Sequence, residues 1–176
     1  MSSPQHRALK GLTKMNFLIC DRFKLRYLEA TDATSDYLNW LNSGVSQFIL
    51  NKPESKSALV KYITEQLADT DVYFYGIFTL DSDEHIGNIK FIIKGKSRDC
   101  VEMGILIGEK AWHGKGVAKE VIECFASHAK QQLGITKMQL GVDSANTAAV
   151  SAYYKIGFKV VDDGRNDGGL TMLWEF

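Results

Sequence analysis

The segment Trp112-His113-Gly114-Lys115-Gly116-Val117-Ala118 constrains this chain more than any other stretch. It follows an apolar, strand-like run, Val101 to Ile107, and opens an amphipathic helical pattern that continues to Leu133. A glycine loop between a strand and a helix start leaves the first-turn N–H groups without carbonyl partners, at the positive end of the helix dipole. Phosphate and pyrophosphate bind at such places. Gly114 and Gly116 let the backbone approach an anion with no Cβ in the way.

Two common phosphate loops fail on spacing. A Walker A loop needs four residues between its first Gly and a Gly-Lys pair, then Ser or Thr for magnesium. Here five residues separate Gly108 from Gly114-Lys115, and Gly116 stands where the hydroxyl belongs. A Rossmann fingerprint needs Gly or Ala three residues after its second Gly, and that position is Lys119. Magnesium ATP and dinucleotides are therefore disfavoured. A plain strand–helix turn stays open on these residues alone, with Lys115 and Lys119 as solvated helix-start cations.

The second half of the chain adds Asn146-Thr147-Ala148-Ala149-Val150-Ser151-Ala152-Tyr153-Tyr154-Lys155-Ile156-Gly157-Phe158 after a strand-like Met138–Val142. Ala149, Ala152, Tyr153 and Ile156 share one helical face, Asn146 suits an N-cap and Gly157 a C-terminal stop. The chain here resembles the GNAT superfamily, the GCN5-related N-acetyltransferases. Their acetyl-CoA loop reads Gln/Arg-x-x-Gly-x-Gly/Ala, which His113 to Ala118 matches except at His113. Their later signature places Asn, Ala, Tyr and Gly-Phe at the offsets of Asn146, Ala149, Tyr153 and Gly157-Phe158. The opening, Leu25-Arg26-Tyr27-Leu28, Thr31-Asp32 and Tyr37 to Asn42, is similar to the ribosomal-protein N-terminal acetyltransferase (RimJ/RimL-like) branch. That branch also holds enzymes acting on antibiotics and amino sugars.

The resemblance implies an α+β fold with a mixed, mostly antiparallel sheet flanked by helices, and acetyl-CoA as co-substrate without a metal. Leu106, Ile107 and Gly108 would meet the pantetheine arm. His113, Gly114, Lys115, Gly116, Val117, Ala118 and Lys119 would hold the pyrophosphate, with Asn146 also at the cofactor. Tyr153 would protonate the departing thiolate. A phenol near pKa 10 facing a thiol near 8.5 makes full transfer uphill by about 2 kcal/mol. The competing reading is an aromatic on a buried helix face. Glu102 lies eleven residues before His113 and matches the base of the histone acetyltransferase branch; it also reads as an exposed strand-end charge. A second branch keeps its glutamate five residues before the motif Asn, and Gly141 stands there. At pH 7 an α-amine is roughly one-seventh neutral, a lysine only about one part in 2,500. A weak base thus suits an α-amine or amino sugar better than a lysine. The acceptor expected is a peptide N-terminus or an amine-bearing small molecule. A non-catalytic acyl-CoA-binding regulator is the alternative of another class.

Bulk properties fit these expectations. The chain has 176 residues, 45% of them hydrophobic, with 21 Lys+Arg against 21 Asp+Glu. The balance argues for neither a nucleic-acid nor a membrane partner. Residues 1–15 read as a flexible arm without a signal-peptide core, and 16–176 as one domain of a cytoplasmic protein, with a homodimer among the expected partners. Cys20, Cys100 and Cys124 read as reduced, mostly buried thiols, and the four scattered histidines suggest no metal. The expected elements are strands at about 23–29, 72–80, 86–94, 101–107, 137–142, 158–161 and 170–176, and helices at about 33–42, 55–68, 116–133 and 147–155. A segment at 45–51 and the final hairpin are expected to help line the acceptor pocket, with Tyr73, Phe74 and Tyr75 as its walls or as part of a mixed core and surface strand.

Overall fold

A computed structural model describes residues 17–43, 52–163 and 168–176. The expected arm at 1–15, the 45–51 segment and most of the last hairpin loop lie outside them. Eight strands form one sheet in the order β1-β2-β3-β4-β5-β6-β8-β7. These are β1 (Phe17–Ile19), β2 (Phe23–Tyr27), β3 (Val72–Thr79), β4 (His85–Lys94), β5 (Cys100–Ile107), β6 (Lys137–Asp143), β7 (Lys159–Asp162) and β8 (Gly169–Glu175). Every neighbouring pair is antiparallel except β5 and β6. The sheet is thus mixed and mostly antiparallel, as the sequence implied. The three-residue β1 was not expected, because Phe-Leu-Ile is too short to show alternation.

Helices α1 (Ser35–Asn42) and α2 (Lys56–Ala68) cover one face of the sheet. Thr34 and Ser55 cap them by accepting from the N–H groups of Tyr37 and Ala58. Tyr37, Trp40 and Leu41 of α1 and Leu59 and Ile63 of α2 meet Val72, Phe74 and Leu106 of the sheet in one apolar cluster. Helix α3 (Val117–His128) covers the other face with Val117, Val121, Ile122, Phe125 and Ala126. Its Phe125 ring stacks on Phe91 at 3.5 Å between centroids. The helical pattern continues to Leu133, but residues Ala129–Leu133 form a π-turn that ends at Gly134 in the left-handed region. Helix α4 (Thr147–Ile156) contacts α3, starts on the Asn146 cap and ends at Gly157 with φ +124°.

Buried on both faces, β3 has no solvent side. Tyr73 and Tyr75 pack towards Phe125, and Phe74 packs on Tyr62. These three aromatics are core: the strand is buried throughout, neither a pocket wall nor split between core and surface as expected. The three cysteines are free but half-buried rather than mostly buried. The Cys124 thiol donates to the Ile19 carbonyl at 3.6 Å, and its sulfur beside Cys20, together with burial, pushes the Cys20 thiol far up.

Candidate cofactor and catalytic site

The parallel pairing of β5 and β6 covers only Cys100, Val101 and Glu102 against Lys137, Met138 and Gln139. Beyond that point β5 continues along β4 to Ile107, while β6 continues along β8 to Asp143. The two strands therefore part from Met103 onwards. Alternate backbone groups of Met103–Ile107 point away from β4 into this opening, with no strand to receive them. The predicted pantetheine contacts Leu106, Ile107 and Gly108 stand at its wide end. Leu106 itself is buried with α1 and α2. Gly108 donates its N–H to the Ile86 carbonyl at 2.9 Å, and Trp40 lies directly on its Cα.

The glycine loop follows at once. Gly114 has φ +70° and Gly116 φ +76°, the left-handed region that favours glycine. Gly116 is the N-cap of α3 and no side chain caps that helix. The first-turn N–H groups of Val117, Ala118 and Lys119 therefore have no acceptor among the described residues, and the first helical bond runs from Glu120 N–H to the Gly116 carbonyl at 3.2 Å. A Cβ on Gly114 would meet nothing within 4 Å, so the loop faces open space. This uncapped, glycine-lined helix start fits a pyrophosphate.

His113, the departure from the family motif, places Nε2 at 2.8 Å from the Ile107 carbonyl and donates to it. The ring thereby ties the loop to the end of β5. Lys115 lies over the Trp112 ring at 5.4 Å, and Lys119 pairs with Glu123 at 3.9 Å. Both cations remain near the loop mouth, and neither is committed to a buried partner.

Tyr153 lies on the inner side of α4 and Tyr154 on the outer, 52% exposed. The Tyr153 ring packs against Phe158 at 5.7 Å. Burial pushes its phenol up to about 12, so it holds its proton at any ordinary pH. Asn146 accepts from Ala149 N–H at 3.3 Å, so its side-chain oxygen is spent on the helix cap. Glu102 shares the α1/α2 face with Leu106 by strand alternation and pairs with Lys94 at 3.2 Å, with both side chains nearly half exposed. Gly141 is exposed on β6 with nothing within 4 Å of its Cβ position.

Several residues in this region carried no sequence signal. Arg22 reaches the glycine loop from the β1–β2 turn. On the α1/α2 face, Lys90 donates to Tyr62 Oη at 2.8 Å and to Gln66 Oε1 at 3.0 Å, opposite Gly104 in the β4–β5 register. His85 donates from Nε2 to Asn88 Oδ1 at 2.9 Å, and burial lowers its pKa, which keeps it neutral. The buried Nδ2 of Asn88 has no partner among the described residues. Such contacts join residues far apart in the chain, and no local spacing announces them. Among the described residues no group of three or more His, Cys, Asp or Glu side chains could hold a metal ion, and no helix is long and apolar enough to cross a membrane.

Comparison with known proteins agrees with this geometry. The Bacillus subtilis protein named "Probable N-acetyltransferase YjcK" is 27% identical over 113 residues, which are 63% of this chain and 61% of that relative's length. Among solved structures, RimL, a ribosomal L7/L12 α-N-protein acetyltransferase in complex with coenzyme A, superposes with a TM-score of 0.77 at 12% identity, over 91% of this chain and 98% of that one. A chimera of the spermidine N-acetyltransferase SpeG from Vibrio cholerae and hSSAT superposes at 0.73 with 21% identity, over 88% and 96%. At such identities these two likenesses speak for the fold. The acetyltransferase (GNAT) domain family matches residues 22–159, which contain the parted strands, the glycine loop and Tyr153. The chain belongs to the GNAT family of acetyltransferases.

Proposed function

We propose that this protein transfers an acetyl group from acetyl-CoA to a primary amine, with a peptide or protein α-amine as the favoured acceptor. The observation that carries the reading is the uncapped start of α3 beside the parted strands β5 and β6. Acetyl-CoA supplies the acyl group, activated as a thioester. Gly114 to Lys119 hold the pyrophosphate with backbone N–H groups, and the inner edge of Leu106–Gly108 lines the path of the pantetheine arm. His113 keeps these two parts in register through the Ile107 carbonyl. Tyr153 presents a protonated phenol to the leaving sulfur; burial keeps its proton on in the working range, and with its pKa near 12 against a thiol near 8.5 full transfer is uphill by about 5 kcal/mol, so its help is chiefly a hydrogen bond to the departing thiolate. Glu102 takes the amine proton through water, at the solvent-exposed end of the same strand.

The α-amine preference rests on chemistry. Glu102 is an exposed, ion-paired carboxylate, and Gly141 offers no base. An acceptor that is already partly neutral at pH 7 fits this site. The RimJ/RimL-like opening and the fold likeness to RimL support the same preference. The test is a screen of peptide α-amines, amino sugars, polyamines and internal-lysine peptides with acetyl-CoA, reading free thiol. Turnover with α-amine peptides supports the reading. Turnover confined to internal lysine overturns the acceptor class, and no thiol release from any amine overturns the activity.

A further inference from the structure

The turn between β1 and β2 lies 93 residues before the glycine loop, yet it touches it. Arg22, at the tip, donates from Nη2 to the Lys115 carbonyl at 3.0 Å. Glu120, in the first turn of α3, accepts from both Arg22 Nε at 2.8 Å and Arg22 backbone N–H at 2.6 Å. Its side chain is only 15% exposed, so the guanidinium is fixed in position and plane. Next to Arg22, the fully buried Phe23 meets Trp112 edge-on at 5.2 Å, which secures the other end of the loop.

Lys115 C=O and Gly116 N–H belong to the same peptide plane, and no cis peptide is present among the described residues. In a trans plane the two groups point in opposite directions. A cation holding the carbonyl on one side therefore aims the Gly116 N–H to the other side, away from Arg22. The same bond polarises the peptide and strengthens that N–H as a donor. A Cβ on Gly116 would stand 3.8 Å from Arg22 Nη2, so no side chain separates the charge from the plane.

We propose that Arg22, locked by Glu120, is a positioning residue that orients and polarises the Gly116 N–H for the pyrophosphate of coenzyme A. The proposal rests on the reading of Gly114–Lys119 as the pyrophosphate loop. Neither residue touches the acyl group or the amine, so their effect falls on cofactor affinity and not on the chemical step.

The test titrates coenzyme A by calorimetry into wild type, Arg22→Met, Arg22→Lys, Glu120→Gln and Gly116→Asp, with the Gly116 amide proton followed by NMR. Arg22→Met keeps the stem and loses every side-chain donor; it should weaken coenzyme A about tenfold and shrink the downfield shift of the Gly116 amide on binding. Arg22→Lys should recover part of both, and Glu120→Gln should weaken binding severalfold. The ratio of coenzyme A to pantetheine affinity should also fall in Arg22→Met, because pantetheine lacks the pyrophosphate; a general loosening of the fold would weaken both alike. Binding in Arg22→Met within twofold of wild type, with Gly116→Asp inactive in binding, overturns the role of Arg22 and leaves the loop reading standing. Wild-type affinity in Gly116→Asp overturns the loop reading itself. If Arg22→Met does not fold, Glu120→Gln and Arg22→Lys decide, and wild-type affinity in both overturns the proposal.

Discussion

Gly108→Ala should cost far more than one methyl group, for a reason visible only in the fold. The added Cβ would stand 1.9 Å from Trp40 Cδ2, 2.3 Å from Cγ and 2.4 Å from Cε3. Trp40 is 6% exposed and packed among Tyr37, Leu41 and Leu106, so its ring has little room to move. Forcing a core group aside costs about 1–3 kcal/mol. Moving the ring also breaks the bond from Trp40 Nε1 to Glu109 Oε1 at 3.1 Å, worth roughly 0.5–1.5 kcal/mol net. Together these give a loss of about 1.5–4.5 kcal/mol. Trp40→Leu frees that space, and in its background Gly108→Ala should be neutral to within about 0.5 kcal/mol, because the unfolded chain then loses more freedom than the folded one. Urea unfolding of the four proteins yields the coupling energy directly. Equal cost of Gly108→Ala in both backgrounds would refute the claim that Trp40 is what demands glycine at the mouth of the parted strands.

Tyr153→Phe should leave coenzyme A affinity close to wild type and lower turnover roughly a hundredfold; Tyr154→Phe, on the exposed side of α4, should do little, and equal effects would remove the acid role from Tyr153. Glu102→Gln should flatten the rise of rate with pH near the pKa of the acceptor amine, about 7 to 8.5, and an unchanged profile would mean that solvent takes the proton. Burial pushes the phenols of Tyr27 and Tyr153 up to about 12, so the folded state keeps protons that the unfolded chain releases above about pH 10. Stability should be unaffected by these groups below pH 10 and fall by about 1.4 kcal/mol per pH unit for each between 10 and 12. Urea titrations at pH 9, 10 and 11 check this, and a flat response would contradict the burial of both rings.

What the sequence revealed about this fold follows from how local each signal is. The loop and α4 are local: glycines at positive φ, an Asn cap and an i, i+3, i+4, i+7 face each occupy a few adjacent residues, and both stand where the pattern put them. Helix α1 begins at Ser35 and not at Ala33, because Thr34 is the residue whose side chain caps Tyr37 N–H. The expected helix to Leu133 changes to a π-turn after His128, a change that apolar periodicity does not register. The parting of β5 from β6 depends on β6 following β8, a pairing across some thirty residues. Arg22 on Lys115, His113 on Ile107 and Trp40 on Gly108 are likewise tertiary contacts, and no spacing rule joins them. The side-chain oxygen of Asn146 serves the cap of α4, as its place just before the helix suggested.

The central claim is that the uncapped start of α3 holds the pyrophosphate of acetyl-CoA through backbone N–H groups and needs no metal. It is tested most directly by titrating acetyl-CoA into wild type and Gly116→Asp in the presence of EDTA, by calorimetry or by thermal shift. Wild type should bind and gain about 2.7 kcal/mol of stability at a hundredfold excess over Kd. Gly116→Asp, with a Cβ in a strained left-handed backbone 3.8 Å from Arg22 Nη2 and a carboxylate that engages the Arg22 guanidinium and repels the pyrophosphate, should melt as a folded protein and show no response. Absence of binding by wild type, or equal binding by Gly116→Asp, would contradict the account.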